Sequence, residues 1–201
     1  MRTPALLLLS CTLAACLCGE APSAWVTFEG ENGLMGYQSR RGETLIPPQF
    51  IHADPFGADG LASVRREQGW TWIDRHGKPL VEQALEFDIA PDPFAEGLAR
   101  FLEREKVGFF DRRGRIVIPA RYDFAYPMQQ GFAVFCFNCK REYHGEHYRM
   151  AGGRWGLVKR DGKEVVAPIY DEILPAGDSG YSALRSGRRL RLNARGEETR
   201  S

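Results

Sequence analysis

Trp155-Gly156-Leu157-Val158-Lys159-Arg160-Asp161-Gly162 reads as a strand, a polar triplet and a glycine, the opening half of a β-hairpin. Trp155 and Leu157 alternate with Gly156 and Val158, so the run presents two different faces, as a strand of period two does. The glycine supplies the left-handed residue that closes a type I turn with a bulge. Val165-Val166 then begins a second strand.

The same pattern recurs outward from this stretch. It is present in Met35-Gly36-Tyr37-Gln38-Ser39-Arg40-Arg41-Gly42, in Trp70-Thr71-Trp72-Ile73-Asp74-Arg75-His76-Gly77 and in Val107-Gly108-Phe109-Phe110-Asp111-Arg112-Arg113-Gly114. A shorter copy, Arg189-Leu190-Arg191-Leu192-Asn193-Ala194-Arg195-Gly196, follows. Gly42, Gly77, Gly114, Gly162 and Gly196 are the expected turn glycines, 35, 37, 48 and 34 residues apart. The first four units continue alike. An apolar run leads to an aromatic (Phe50, Phe87, Tyr122, Tyr170), then a proline (Pro55, Pro93, Pro127, Pro175), then a glycine and a strand beginning at Leu61, Leu98, Phe132 or Tyr181. Proline cannot donate to a central ladder and so marks a loop. Each unit is about three antiparallel strands, which makes the chain an all-β array of about five units. Trp25-Val26-Thr27-Phe28 supplies the last strand of a unit without the rest and begins the array. The expected form is open and solenoid-like, favoured by the unequal unit lengths. The competing form is a closed, propeller-like ring in which the Trp25 strand completes the last unit. Arg189 and Arg191 replace the aromatic face in the fifth unit, which suits either a wet terminal cap or a frayed tail.

This pattern resembles the WG-repeat family of bacterial proteins, whose repeats carry a Trp-Gly or Gly-aromatic strand, an Asp-x-x-Gly turn and a Phe-x-Glu-Gly-Leu-Ala stretch. The matching residues are Trp155-Gly156, Asp74-Arg75-His76-Gly77, Asp111-Arg112-Arg113-Gly114 and Phe94-Ala95-Glu96-Gly97-Leu98-Ala99. Thr71 replaces the glycine of the second unit. The resemblance implies an interaction or scaffold module over residues 24–201, with no catalytic residues to carry over.

The N-terminus reads differently. Arg2 precedes an apolar run from Ala5 to Ala15, too short for a bilayer span and of the size of a signal-peptide core. Leu13-Ala14-Ala15-Cys16 resembles the bacterial lipobox, which implies a lipoprotein signal over residues 1–15, lipidation of Cys16 and a tether over 16–23. The competing reading is a plain secretory signal cut a little later. Leu17 follows the cysteine where an Asp would retain the protein in the inner membrane. The resemblance therefore implies an outer-membrane anchor facing the periplasm.

The 201 residues are 43% hydrophobic and 26% charged, and the net charge of +1 points to no particular partner. Phosphate-binding loops, His-Glu-x-x-His and nucleophile elbows are missing from the sequence. Gly177-Asp178-Ser179-Gly180 looks like part of a serine-protease signature, but in register it is the fourth copy of the loop before the Gly-apolar strand. No catalytic residue is expected. The irregular third unit contains Cys136-Phe137-Asn138-Cys139 and His144-Gly145-Glu146-His147. Cys136 and Cys139 suit a disulfide in an exported compartment. With His144 and His147 they also suit a tetrahedral zinc site, the only cofactor the sequence raises. Thiol redox exchange and unremarkable thiols complete the alternatives. Cys18 is left free or pairs outside the chain. The C-terminal arginines 185, 188, 189, 191, 195 and 200, offset by Glu197 and Glu198, form either a solvated face or a contact for anionic polymers or lipid head groups. The expected function is a non-enzymatic binding or scaffold lipoprotein of the cell envelope. Its expected partners are the membrane, through the lipid, and envelope proteins or polymers; nucleic acid is not expected. The alternative is a metal- or thiol-responsive protein acting through the third-unit insertion.

Overall fold

Strand Arg154–Lys159, in the stretch quoted above, is the centre of a four-stranded antiparallel sheet, flanked by Phe132–Phe137 and Glu164–Tyr170, with Phe124–Ala125 at the edge. The structure is a computed structural model and describes residues 25–199 except 88–89, 146, 178–179 and 194. Five such sheets follow one another. The first is Trp25–Glu29, Met35–Ser39 and Thr44–Phe50; the second His52–Ala53, Ala62–Arg66 and Gly69–Ile73. The third is Leu98–Glu103, Lys106–Asp111 and Ile116–Tyr122; the fifth Glu172–Pro175, Tyr181–Arg185, Arg188–Leu192 and Glu198–Thr199. No α-helix is present among the described residues.

At three of the four junctions a long strand ends one sheet and a short strand of the next sheet follows directly. Thr44–Phe50, Ile116–Tyr122 and Glu164–Tyr170 each end one sheet, and after a single residue (Ile51, Asp123 or Asp171) the chain joins the next. The three long strands have the same burial sequence, residue for residue. Each carries the same bulge. Ile46, Ile118 and Val166 stand opposite Tyr37, Phe109 and Leu157, whereas Phe50, Tyr122 and Tyr170, four residues on, stand opposite Met35, Val107 and Trp155, only two residues back. The extra residues include a proline each time, the kind of position a bulge tolerates.

Four hydrophobic cores lie between the five sheets, so most central strands are buried on both faces. Tyr37, Phe50, Val64 and Ile73 share the first core, and Ala84, Ala99, Phe101 and Phe110 the second. Val107, Phe109, Tyr122, Phe135 and Val158 share the third, and Val134, Cys136, Trp155, Leu157, Tyr181 and Leu192 the fourth. Trp155 and Leu157 therefore face forward along the array and Val158 faces back. The array is open. Trp25–Glu29 pairs with Met35–Ser39 and takes no part in the fifth sheet, which corrects the ring alternative. At the far end Arg189 and Arg191 are exposed on an ordered strand, while Leu192 on the opposite face is buried.

The second unit departs from its neighbours. Its aromatic position is taken by Ala84, not Phe87: Ala84 N–H donates to Trp70 and Leu85 N–H donates to Arg100, the contacts that Phe50 and Ile51 make elsewhere in equivalent register. Glu86–Phe87 instead pairs with Ala90–Pro91 in a short excursion. Asp92, at its end, is buried with Arg100. The guanidinium donates to both carboxylate oxygens at 2.8 and 2.5 Å and to the Ala125 carbonyl at 2.7 Å, tying the excursion to the fourth sheet.

Candidate functional site

The five turn glycines all have positive φ, between 74° and 86°, and every turn closes with the same pair of backbone bonds. Asp74 and Asp111 show why aspartate opens such a turn: one carboxylate oxygen accepts the amides two and four residues on. Burial alone would raise the Asp111 carboxyl, but the Arg115 guanidinium and these amides together hold it below the usual carboxylate range. Beyond the first turn, each glycine lies on the segment that follows the preceding turn: Gly77 on Ile46, Gly114 on Leu80, Gly162 on Ile118 and Gly196 on Val166. The turns therefore form one continuous edge.

The opposite edge holds the irregular insertion. The third and fifth sheets close there with two residues of positive φ, Arg104 and Glu105 (50° and 63°) and Ser186 and Gly187 (50° and 75°). Both are two-residue hairpin turns that match strand twist. In the fourth sheet the corresponding residues are Asn138 and Gly153, at 58° and 71°, and residues 139–152 are spliced between them. The splice accounts for the 14 residues by which the spacing of 48 exceeds that of 34. A side chain on Gly153 would collide with the Phe137 carbonyl and the Cys139 amide, because the two ends of the insertion lie against each other.

The root of the insertion is held firmly. Cys136 and Cys139 are joined as a disulfide with Cα atoms 6.1 Å apart, and both are buried. Asp123 accepts the Asn138 amide at 2.6 Å and the Lys106 ammonium at 2.5 Å. Burial alone would raise that carboxyl, and these donors together bring it below its usual range. Trp155 Nε1 donates to the Gly152 carbonyl at 2.9 Å, and Met150 packs on the fourth core.

Beyond the root, Lys140–His144 and His147–Ala151 form a two-stranded arm. Tyr143 and Tyr148 are direct cross-strand partners with ring centroids 5.8 Å apart, and they are 63% and 49% exposed. The Arg141 guanidinium lies 4.8 Å from the Tyr148 ring centroid, and Glu142 pairs with Arg149 at 2.7 Å. His144 and His147 are backbone partners at the tip. Five residues of strand separate Cys139 from His144, about 17 Å, and the two sulfurs are bonded to each other. The four residues therefore do not converge, and the four-ligand zinc arrangement is not assembled. The sequence signal for this arm was the long glycine spacing; its tyrosine pair and its splice point were missed. Cys16, Cys18 and Ser179 lie outside the described residues.

The WG containing repeat pattern is matched over residues 35–70, 108–140 and 155–187, about half of the chain, and it skips most of the irregular second unit. No curated protein matches at a significant level. With five stacked sheets, recurring turns and three pattern matches, the chain belongs to the WG containing repeat family.

Proposed function

We propose that this protein is a non-enzymatic binding scaffold of the bacterial cell envelope, anchored through lipid on Cys16 to the outer membrane and facing the periplasm. In this reading the array is a rigid mount and the arm at 139–152 is its recognition element. One observation carries the reading: the arm interrupts a turn that sister sheets close with two residues, so the fold does not require it. Residues that a repeat does not need, placed on an anchored loop, are those most free to serve binding. The exposed tyrosines add large apolar area with few rotatable bonds, the composition typical of recognition surfaces.

The test is excision of residues 139–152 together with Cys136→Ser, which restores an Asn-Gly turn. The expected outcome is an array that still unfolds cooperatively, with a lowered melting point because the disulfide and the Met150 contact are gone, together with loss of the proteins or polymers recovered by crosslinking in envelope preparations. Undiminished recovery would assign binding to the array instead. For the anchor, Cys16→Ser should abolish incorporation of radiolabelled palmitate.

A further inference from the structure

Charge is not spread evenly over this nearly neutral chain. The five turns at 39–43, 74–78, 111–115, 159–163 and 193–197 contain eleven Lys and Arg against five Asp and Glu. Because each turn rests on the segment after the one before it, they form a single row along one edge. Stacked sheets lie about 10 Å apart, so the row extends about 40 Å. Two of its carboxylates, Asp74 and Asp111, accept turn amides; two of its cations are paired, Arg115 with Asp111 and Arg112 with Asp59 of an adjoining loop. Arg41, Lys78, Arg113, Lys159, Arg160, Lys163 and Arg195 are exposed and make no ion pair among the described residues. At the opposite edge the signs vary from sheet to sheet: the first hairpin has Glu29 and Glu31, the third-sheet turn Glu103, Arg104, Glu105 and Lys106, and the fifth-sheet turn Arg185, Arg188 and Arg189.

The point where the chain enters the array gives this edge a direction. Trp25 pairs with Ser39, at the base of the first turn, so the first described residue lies at the basic edge. Residues 16–24 span at most about 30 Å when fully extended. The arm at 139–152 leaves from the other end of the strands, beyond Phe137 and Arg154.

We infer that the row of turns is a docking surface for anionic phospholipid head groups, which lays the basic edge on the membrane and points the arm at 139–152 away from it. The orientation rests on the lipid anchor proposed above; the charge complementarity does not. A cation near an anionic surface contributes about 1 kcal/mol, so each charge removed should weaken binding about fivefold.

The experiment uses the mature chain from residue 16 with Cys16→Ser, secreted without lipid, and sedimentation with two kinds of vesicle. One contains phosphatidylglycerol and phosphatidylethanolamine, the other phosphatidylcholine alone. Binding is expected only to the first and should fall as salt is raised. Arg113→Gln, Arg160→Gln and Lys163→Gln combined should weaken it about 100-fold, while Arg104→Gln, Lys140→Gln and Arg188→Gln combined should change it less than twofold. Equal binding to both vesicles, or equal loss in the two triple variants, would overturn the inference. Palmitate labelling of the natural chain is scored separately. Labelling without anionic preference removes the surface and keeps the anchor, and anionic preference without labelling does the reverse.

Discussion

The fourth and second sheets solve one packing problem in two ways. In the fourth sheet Gly156 stands opposite Phe135, and a side chain on Gly156 would meet that ring at 2.7 Å and the Val166 carbonyl oxygen at 2.5 Å. Gly108 and Phe101 repeat the arrangement in the third sheet, with the Ile118 carbonyl at 2.7 Å. In the second sheet the glycine is Thr71 and its opposite residue is Val64. The fifth sheet pairs Leu190 with Ala183. As one partner grows the other shrinks, which is what a close-packed layer between sheets requires. The family glycine is thus a slot for a neighbouring phenylalanine and for the bulged strand behind it. Where the slot is filled, a side-chain bond substitutes: Thr71 Oγ1 donates to the Val81 carbonyl at 2.6 Å. The strand there loses its regular ladder and its aromatic.

The strongest way to break this comparison is Gly156→Ala. The added methyl meets backbone that cannot rotate away, so a loss of about 3 kcal/mol is expected from urea unfolding. Adding Phe135→Val should recover part of it; a double variant as unstable as the sum of the singles would deny the coupling. A milder test runs in the other direction. Thr71→Gly leaves the Val81 carbonyl without its donor and opens space, at a cost of about 1–2 kcal/mol. Val64→Phe added to Thr71→Gly should then cost less than Val64→Phe alone. The smallest effect concerns the aromatic that Ala84 lacks. Burial raises the Tyr122 hydroxyl to about 12; the neighbouring Arg121 opposes this and Glu164 adds to it. A raised folded value means stability that is complete below pH 10 and is lost as pH climbs from 10 through 12. Tyr122→Phe should remove about 1 kcal/mol of that alkaline loss at pH 11, whereas no residue at position 84 titrates. An identical alkaline profile in the variant would assign the loss to other tyrosines.

Much of this architecture was legible because repetition amplifies a weak local signal. One glycine proves little, but five after equivalent strands identify a turn, since only glycine occupies that backbone region without penalty. The alternation of Trp155 and Leu157 with Val158 gave the two faces. The 14 surplus residues announced the insertion. Register placed them between Val134 and Trp155 but not at their splice point, and the arm proved to separate its histidines from its cysteines instead of folding them together.

What the sequence determined by itself was the all-β class, the number of units and the five turns, because each depends on residues close in the chain; that Arg189 and Arg191 lie on an ordered closing strand and not in a frayed tail was decided by the structure. Tertiary structure alone decided the rest. That Gly156 answers to Phe135, that Ala84 and not Phe87 holds the aromatic position, and that Asp92 and Arg100 neutralise each other inside the protein depend on atoms brought together across strands and sheets. Volume and charge balance between such neighbours are set in three dimensions, and a linear reading meets only one partner at a time.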